Sequence, residues 1–247
     1  MNDIFAYLLL DISLLLVWAL IYFSRADLRH KMWKISFVGG FCGLLAEFWY
    51  YTDYWRPPVL FGIQSISLED YVFGFTILGL SITIFDFVMR KKNDSIPVPF
   101  TLSRQTLLNI ARNWLTKPKH RILLLLFLIG LFSLIVLNTI LKVPSIIVSS
   151  VAFLASSGII FIIRKDLIRQ SLLTGLFLVL LVLPVYILLF DVLFPSFWDK
   201  YWLLSGTPIG IFLIGNIPWT ELFWYFSLGT LMGGAYEFYK GYKKVDL

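Results

Sequence analysis

The chain has 247 residues, 59% of them hydrophobic, with a mean hydropathy of +0.82. That composition excludes a soluble globule and points to an integral membrane protein. The net charge of +6 comes from Lys and Arg clustered beside apolar stretches, so it reads as topology and attraction to anionic lipid, with no basis for nucleic-acid binding. A single cysteine, Cys42, excludes an internal disulfide framework and a cysteine metal cluster, and no other metal motif occurs.

A span needs about 20 predominantly apolar residues, and seven stretches qualify: roughly 3–23, 35–52, 68–89, 122–141, 144–163, 171–193 and 211–239. Span one carries Asp11 and lacks the basic n-region and small-residue cleavage site of a secretory signal, so it reads as retained. Arg25, Arg29, Lys31 and Lys34 follow it. Span two contains Gly39 and Gly43, at the spacing of close helix packing, and then Cys42 and Glu47. It ends on Trp49, Tyr50, Tyr51, Asp53, Tyr54 and Trp55, an interfacial aromatic belt in which Asp53 is expected to pair with Arg56. Ser67-Leu68-Glu69-Asp70 opens span three as a helix-start pattern, with Ser67 as cap and two acids in the first turn. At its far end Asp86 is expected to bond Arg90 at i+4.

The long loop from Arg90 to Arg121 opens with Ile96-Pro97-Val98-Pro99. Leu107, Ile110, Ala111, Trp114 and Leu115 then fall at helical spacing against polar residues, which predicts an amphipathic helix on the cytoplasmic leaflet. Span four carries one mid-span amide, Asn138. Span six ends at Asp191 and is followed by Phe194, Phe197, Trp198, Tyr201 and Trp202, with Asp199 expected to pair with Lys200. Span seven is expected to begin at Pro218, preceded by a partly buried re-entrant loop. It carries Glu221, the close-packing pair Gly229/Gly233, and Glu237, expected to bond Lys240 at i+3. No lysine occupies its middle, which argues against a bound retinal.

Spans three and seven align 151 positions apart: Phe61–Asp70 on Phe212–Glu221, Phe75-Thr76-Ile77 on Phe226-Ser227-Leu228, and Phe85-Asp86-Phe87 on Tyr236-Glu237-Phe238. Carboxylates recur at equivalent places, Asp70 with Glu221 and Asp86 with Glu237. Four spans separate the copies, an even number, so both face the same way. The expected fold is all-α, with seven transmembrane helices as two parallel three-helix repeats joined by a linker helix (3+1+3). Residues 1–92 form the first repeat, 93–143 the amphipathic segment and linker, and 144–247 the second repeat. Of the 21 Lys and Arg residues, 18 lie on one side and only Arg56, Lys142 and Lys200 on the other. The positive-inside rule then puts the N-terminus outside and the C-terminus in the cytoplasm of a multi-pass cell-membrane protein.

Glu69, Asp70 and Glu221 enter from the outer face. Glu47, about 18 Å along span two from Ile35, reaches a similar depth, as do Asp11, Asp53 and Asp191. Acids outnumber bases in that layer, so protons are held or shared there. Beside it stand Trp49, Trp55, Phe73, Trp219, Phe223 and Trp224. An acid next to π-faces suits a carbocation reaction: a proton donor starts it, ring quadrupoles hold the cation and a base ends it.

At Trp55-Arg56-Pro57-Pro58, Ile66-Ser67-Leu68-Glu69-Asp70 and Ile217-Pro218-Trp219-Thr220-Glu221-Leu222-Phe223, nearly the whole chain resembles the heterodimeric-type lycopene cyclases, here with the two halves fused. That family carries a P-x-E-E step entering the third span of each half. Ser67 stands in place of the proline in the first half, and Thr220 in place of the first acid in the second. Asp53 and Asp191 resemble the aspartates that precede the step. The resemblance implies a cofactor-independent lycopene beta-cyclase-like enzyme, an intramolecular lyase or isomerase that cyclises the linear end groups of a carotenoid by proton addition and loss. It makes Glu69, Asp70 and Glu221 the catalytic acids, Glu47, Asp53 and Asp191 supporting groups, and the six aromatic residues named above the substrate lining. The implied partners are a lipophilic polyene and membrane lipid, with room for association with other carotenoid enzymes. Two other readings stay open: a small proton-coupled 3+1+3 transporter, and a non-catalytic pigment-binding relative.

Overall fold

A computed structural model describes residues 2–63, 66–95, 128, 130 and 132–246. The expected amphipathic helix and residues 122–127 of span four lie outside them. The described chain is mostly helical: α1 (Ile4–Ser24), α2 (Arg29–Asp53), α3 (Leu68–Val88), α4 (Ser145–Ile163), α5 (Ile168–Tyr186), a short α6 (Phe197–Tyr201) and α7 (Trp219–Lys240). A π-helical segment, Leu134–Ile140, precedes α4, and α5 runs on as a π-helix over Ile187–Leu193.

Among the described residues, four stretches are long and apolar enough to cross a membrane, Ile4–Ser24, Leu68–Val88, Ser145–Ile163 and Lys165–Leu193, so this is a multi-pass membrane protein. The sequence suggests seven. Helices α2 and α7 have the length, at 25 and 22 residues, but α2 carries Arg29, Lys31, Lys34, Glu47 and Asp53 and α7 is rich in Trp, Tyr and Gly, which lowers their hydropathy.

Local chemistry explains the breaks. Helix α1 stops at Arg25 (φ −128°, ψ 87°) and α4 at Arg164 (φ −128°, ψ 76°). Each arginine then grips the aspartate two residues on: Arg25 Nε donates to Asp27 Oδ1 at 2.8 Å, and Arg164 Nε to Asp166 Oδ1 at 2.8 Å. The first fork holds the Asp27 carboxyl below the usual aspartate range. Both arginines also reach a strand backbone, Arg25 donating to Lys91 O (2.8 Å) and Arg164 to Tyr242 O (3.0 Å). Strands β3 (Lys91–Ser95) and β6 (Tyr242–Asp246) pair antiparallel with Asn93 opposite Lys244 at the centre.

Helix α2 packs along α3, and α5 along α7. Glycines let the backbones meet: a Cβ on Gly43 would lie 2.2 Å from Asp70 O, and one on Gly175 would lie 2.5 Å from Phe226 O. The core between the helices contains Tyr7, Leu10, Leu14, Leu80, Leu178, Val182, Tyr186 and Tyr225. At the end opposite the arginine turns, Arg56 N donates to Tyr201 O (2.9 Å) and Leu203 N to Tyr54 O (2.8 Å), tying the α2 exit to α6.

The stretch before α7 is a short antiparallel hairpin, β4 (Phe212–Ile214) against β5 (Ile217–Pro218), with Leu213 and Ile214 exposed. A matching hairpin precedes α3, Gly62–Ile63 (β1) against Ile66–Ser67 (β2). The expected loop therefore pairs part of its backbone across a hairpin.

The expected local ion pairs are corrected by tertiary contacts. Asp86 and Glu237 both meet the buried ammonium of Lys31, at 2.5 and 3.5 Å, in place of Arg90 and Lys240. Asp53 does not hold Arg56. It accepts from Ser145 N (3.0 Å), Ser145 Oγ (2.5 Å) and Asn138 Nδ2 (2.5 Å), capping α4 and binding the linker. Arg56 instead bonds Tyr51 O at 3.0 Å. Lys200 pairs with Asp3 at 2.7 Å, rather than with Asp199. In each case a partner distant in sequence displaces the nearby one, and at Lys31 the resulting ion group is buried.

Candidate functional site

The N-terminus of α3 builds the first part of the site. Ser67 caps the helix: its Oγ accepts from Asp70 N (3.1 Å) and donates to Asp70 Oδ2 (2.7 Å), while Ser67 N donates to the same oxygen (2.9 Å). This is the reciprocal capping box, and it fixes the rotamer of Asp70. The remaining oxygen, Oδ1, accepts from the Tyr7 hydroxyl of α1 at 3.0 Å. Asp70 is thus both a cap and a wall of the cavity described below. Its neighbour Glu69 turns outward from that cavity, and its Oε1 accepts from Leu60 N (2.7 Å) and Phe61 N (3.1 Å), pinning the chain that leads into the first hairpin.

Helix α7 starts at Pro218 without a side-chain cap, so Glu221 is free for tertiary contacts. Its Oε1 accepts from the Tyr54 hydroxyl at the end of α2, and its Oε2 from the Tyr186 hydroxyl of α5 at 2.7 Å. Tyr225 lies 2.7 Å from Tyr186 Oη. With Tyr186 donating to the acid, Tyr225 donates to Tyr186, and the phenols form a chain ending on the carboxylate.

Glu47, on α2, is 4% exposed. Its Oε2 accepts from Trp55 Nε1 at 3.2 Å, whereas Oε1 has no hydrogen-bond partner among the described residues.

Asp70, Glu47 and Glu221 line one cavity of about 250 Å³, together with Tyr7, Tyr54, Trp55, Phe73, Phe153, Tyr186 and Trp224. Its wall is aromatic. Tyr7 meets Trp55 edge-on at 5.0 Å between centroids, and Phe73 stacks against Trp224 at 6.1 Å. Trp224 is held in place by its Nε1 donating to Tyr50 Oη at 2.8 Å. Gly39, Cys42, Gly43 and Ala46 form the α2 side of the wall, and Cys42 is also exposed, so among the described residues the cavity extends to the flank of α2. At about 250 Å³ it lies at the small end of ligand pockets, which suits one end of a long molecule.

Of the acids singled out from sequence, the fold brings Asp70, Glu47 and Glu221 to this cavity, and Glu69 adjoins it on the far side of the cap. Asp53 and Asp191 are elsewhere. Asp53 caps α4, and Asp191 accepts from Asn216 N at 2.7 Å, closing the turn of the second hairpin. Asp11 is buried with both oxygens unpartnered among the described residues and does not line the cavity. Among the aromatics, Trp55, Phe73 and Trp224 are in the wall. Trp49 is 40% exposed; Trp219, half-buried, donates to Ile209 O and packs on Phe223, away from the cavity. The phenols of Tyr7, Tyr186 and Tyr225 were not anticipated. Their signal is a tyrosine within an otherwise aliphatic span, whose hydroxyl must find a buried partner.

No group of three or more potential metal ligands occurs among the described residues. The assembled chemistry is three carboxyls, two of them held by hydroxyl and amide donors, in an aromatic chamber. Such a chamber can deliver and remove protons and stabilise a transient cation by about 2 kcal/mol or more per well-placed ring.

Residues 144–239, spanning α4 to nearly the end of α7, match the family model for lycopene cyclase. No curated protein and no solved structure matches the chain.

Proposed function

We propose that the protein is a lycopene cyclase that closes the linear end groups of a carotenoid inside the membrane. The observation that carries this reading is the union of a match to the lycopene cyclase family model with a cavity where Asp70 and Glu221 face aromatic walls. Proton addition to the terminal alkene forms a C–H bond and leaves a tertiary cation. A neighbouring double bond attacks it, closing a six-membered ring, and a carboxylate removes a ring proton to restore a double bond. No electrons are gained or lost. Asp70, with Glu69 fixing the loop beside it, and Glu221 are two of the carboxyls that serve this chemistry. Trp55, Phe73 and Trp224 shelter the cation. The polyene enters sideways from the bilayer along α2, past Gly39, Cys42 and Gly43.

The architecture that goes with this function is two parallel three-helix units and a linker span: residues 1–92, 93–143 and 144–247. Three features support it. The Arg25–Asp27 and Arg164–Asp166 turns share one geometry. Hairpins precede both α3 and α7. In the β3–β6 pairing the central partners, Asn93 and Lys244, are 151 positions apart, the same offset as Asp70 and Glu221, as an axis along the membrane normal requires. In this arrangement the arginine turns are cytoplasmic and the acid cavity lies toward the outside.

The direct test is co-expression in a lycopene-accumulating bacterial host with chromatographic analysis of pigment. Ring-closed product is expected, and lycopene left unchanged beside well-folded protein would replace this reading by a pigment-binding one. For topology, a reporter active only in the cytoplasm should work when fused after Lys244 or near Asn109 and be silent near Asp199. Activity near Asp199 with silence at the C-terminus would reverse the orientation.

A further inference from the structure

The three cavity carboxyls are not held alike, and the difference bears on which one starts the reaction. Asp70 accepts three hydrogen bonds, from Ser67 N, Ser67 Oγ and Tyr7 Oη. Glu221 accepts one phenolic hydrogen bond on each oxygen. Both arrangements satisfy an ionised carboxylate, an acceptor-only group. Glu47 accepts a single bond, from Trp55 Nε1 to Oε2 at 3.2 Å. Its Oε1 is buried and unpartnered among the described residues. An ionised oxygen in that position would forfeit its hydration without compensation, whereas a protonated one leaves Oε2 as the carbonyl that the indole requires. Among the described residues the proton on Oε1 then has no oxygen or nitrogen to bind, and Glu47 is one of the residues that line the cavity.

Resting on the cyclase reading, we propose that Glu47 is the proton donor that initiates ring closure, with Glu221 as the base that ends it. In the first step the Glu47 Oε1–H bond breaks and a C–H bond forms at the terminal alkene carbon, leaving a tertiary cation and a Glu47 carboxylate. After ring closure a ring C–H bond breaks, its electron pair becomes the new double bond, and the proton goes to Glu221. Release of the proton from Glu221 to solvent and uptake of one by Glu47 reset the site, so each ring consumes and releases one proton. Asp70 stays ionised beside Glu47, and its negative charge disfavours a second charge there. Asp11 and Glu69 also carry unpartnered oxygens, but neither lines the cavity.

Solvent deuterium separates the donor from the base. Purified parent protein incubated with lycopene in D2O should yield rings carrying one deuterium on the CH2 formed by protonation. Glu221→Gln retains the donor, so protonation still occurs and reverses, and the recovered acyclic polyene should carry deuterium at the terminal alkene. Glu47→Gln should bind the polyene with the parent's absorbance shift, lose at least about 100-fold in conversion, and return polyene without label. Glu47→Asp keeps a titratable carboxyl and should retain measurable conversion, which separates loss of the proton from loss of the fold. Any other labelling pattern, or conversion by Glu47→Gln within tenfold of the parent, overturns the assignment of Glu47. A parent protein that converts no lycopene overturns the cyclase reading itself.

Discussion

Glu221→Gln is expected to lower conversion of lycopene by about 10²–10⁴-fold while leaving the amount of folded protein nearly unchanged. The substitution keeps the side chain's size. Its amide oxygen still accepts from one of Tyr54 and Tyr186, and its NH2 donates to the other, since phenolic hydroxyls rotate to either role. What disappears is the group that takes the ring proton. Glu237→Gln is the matched control: the same change, on the same helix, in a residue at the other end of the bundle. Lys31 keeps Asp86 at 2.5 Å, so one cation still faces one anion and most activity should persist. Chromatographic yield per unit of folded protein measures both. Conversion by Glu221→Gln within threefold of the parent, or equal loss in the two variants, would remove Glu221 from the chemistry.

The apolar spans and the intramembrane acids were legible because both follow from local rules: span length against bilayer thickness, and the cost of a charge in hydrocarbon. Those rules led to Asp70 and Glu221, and to the glycines where α2 meets α3 and α5 meets α7. Rotation about a helix axis was not legible. Glu69 and Asp70 are adjacent, yet one faces a loop and the other the cavity. Trp219 and Trp224 lie on the same helix with the same apparent promise, and Trp224 alone lines the wall. A span in lipid is apolar on every side, so no amphipathic pattern reveals which face meets its neighbours. Tertiary pairing was hidden for a related reason. Asp53 and Lys200 each had a plausible neighbour in sequence, and the fold supplied another.

Lys31 shows this most clearly, because in the sequence it is one loop cation among many. In the fold it is 5% exposed, with Asp86 of α3 and Glu237 of α7 on either side and the Tyr236 ring 5.5 Å away. It therefore joins α2 to the two helices that carry Asp70 and Glu221 at their other ends. Lys31→Met preserves length and apolar packing but removes the ammonium that sits between the two buried acids. Removing one member of a buried ion group costs about 3–5 kcal/mol, so the variant should lose much of its folded population in detergent. Replacing all three side chains by neutral ones is far less costly, since none of the three then carries a charge to be desolvated. The triple variant Lys31→Met/Asp86→Asn/Glu237→Gln should therefore recover most of the stability that the single substitution loses, and retain lycopene conversion, because none of the three lines the cavity. Thermal unfolding monitored by size exclusion measures the recovery. A triple variant no more stable than Lys31→Met would mean that the three side chains contribute through packing or hydrogen bonds rather than as a neutralised charge cluster.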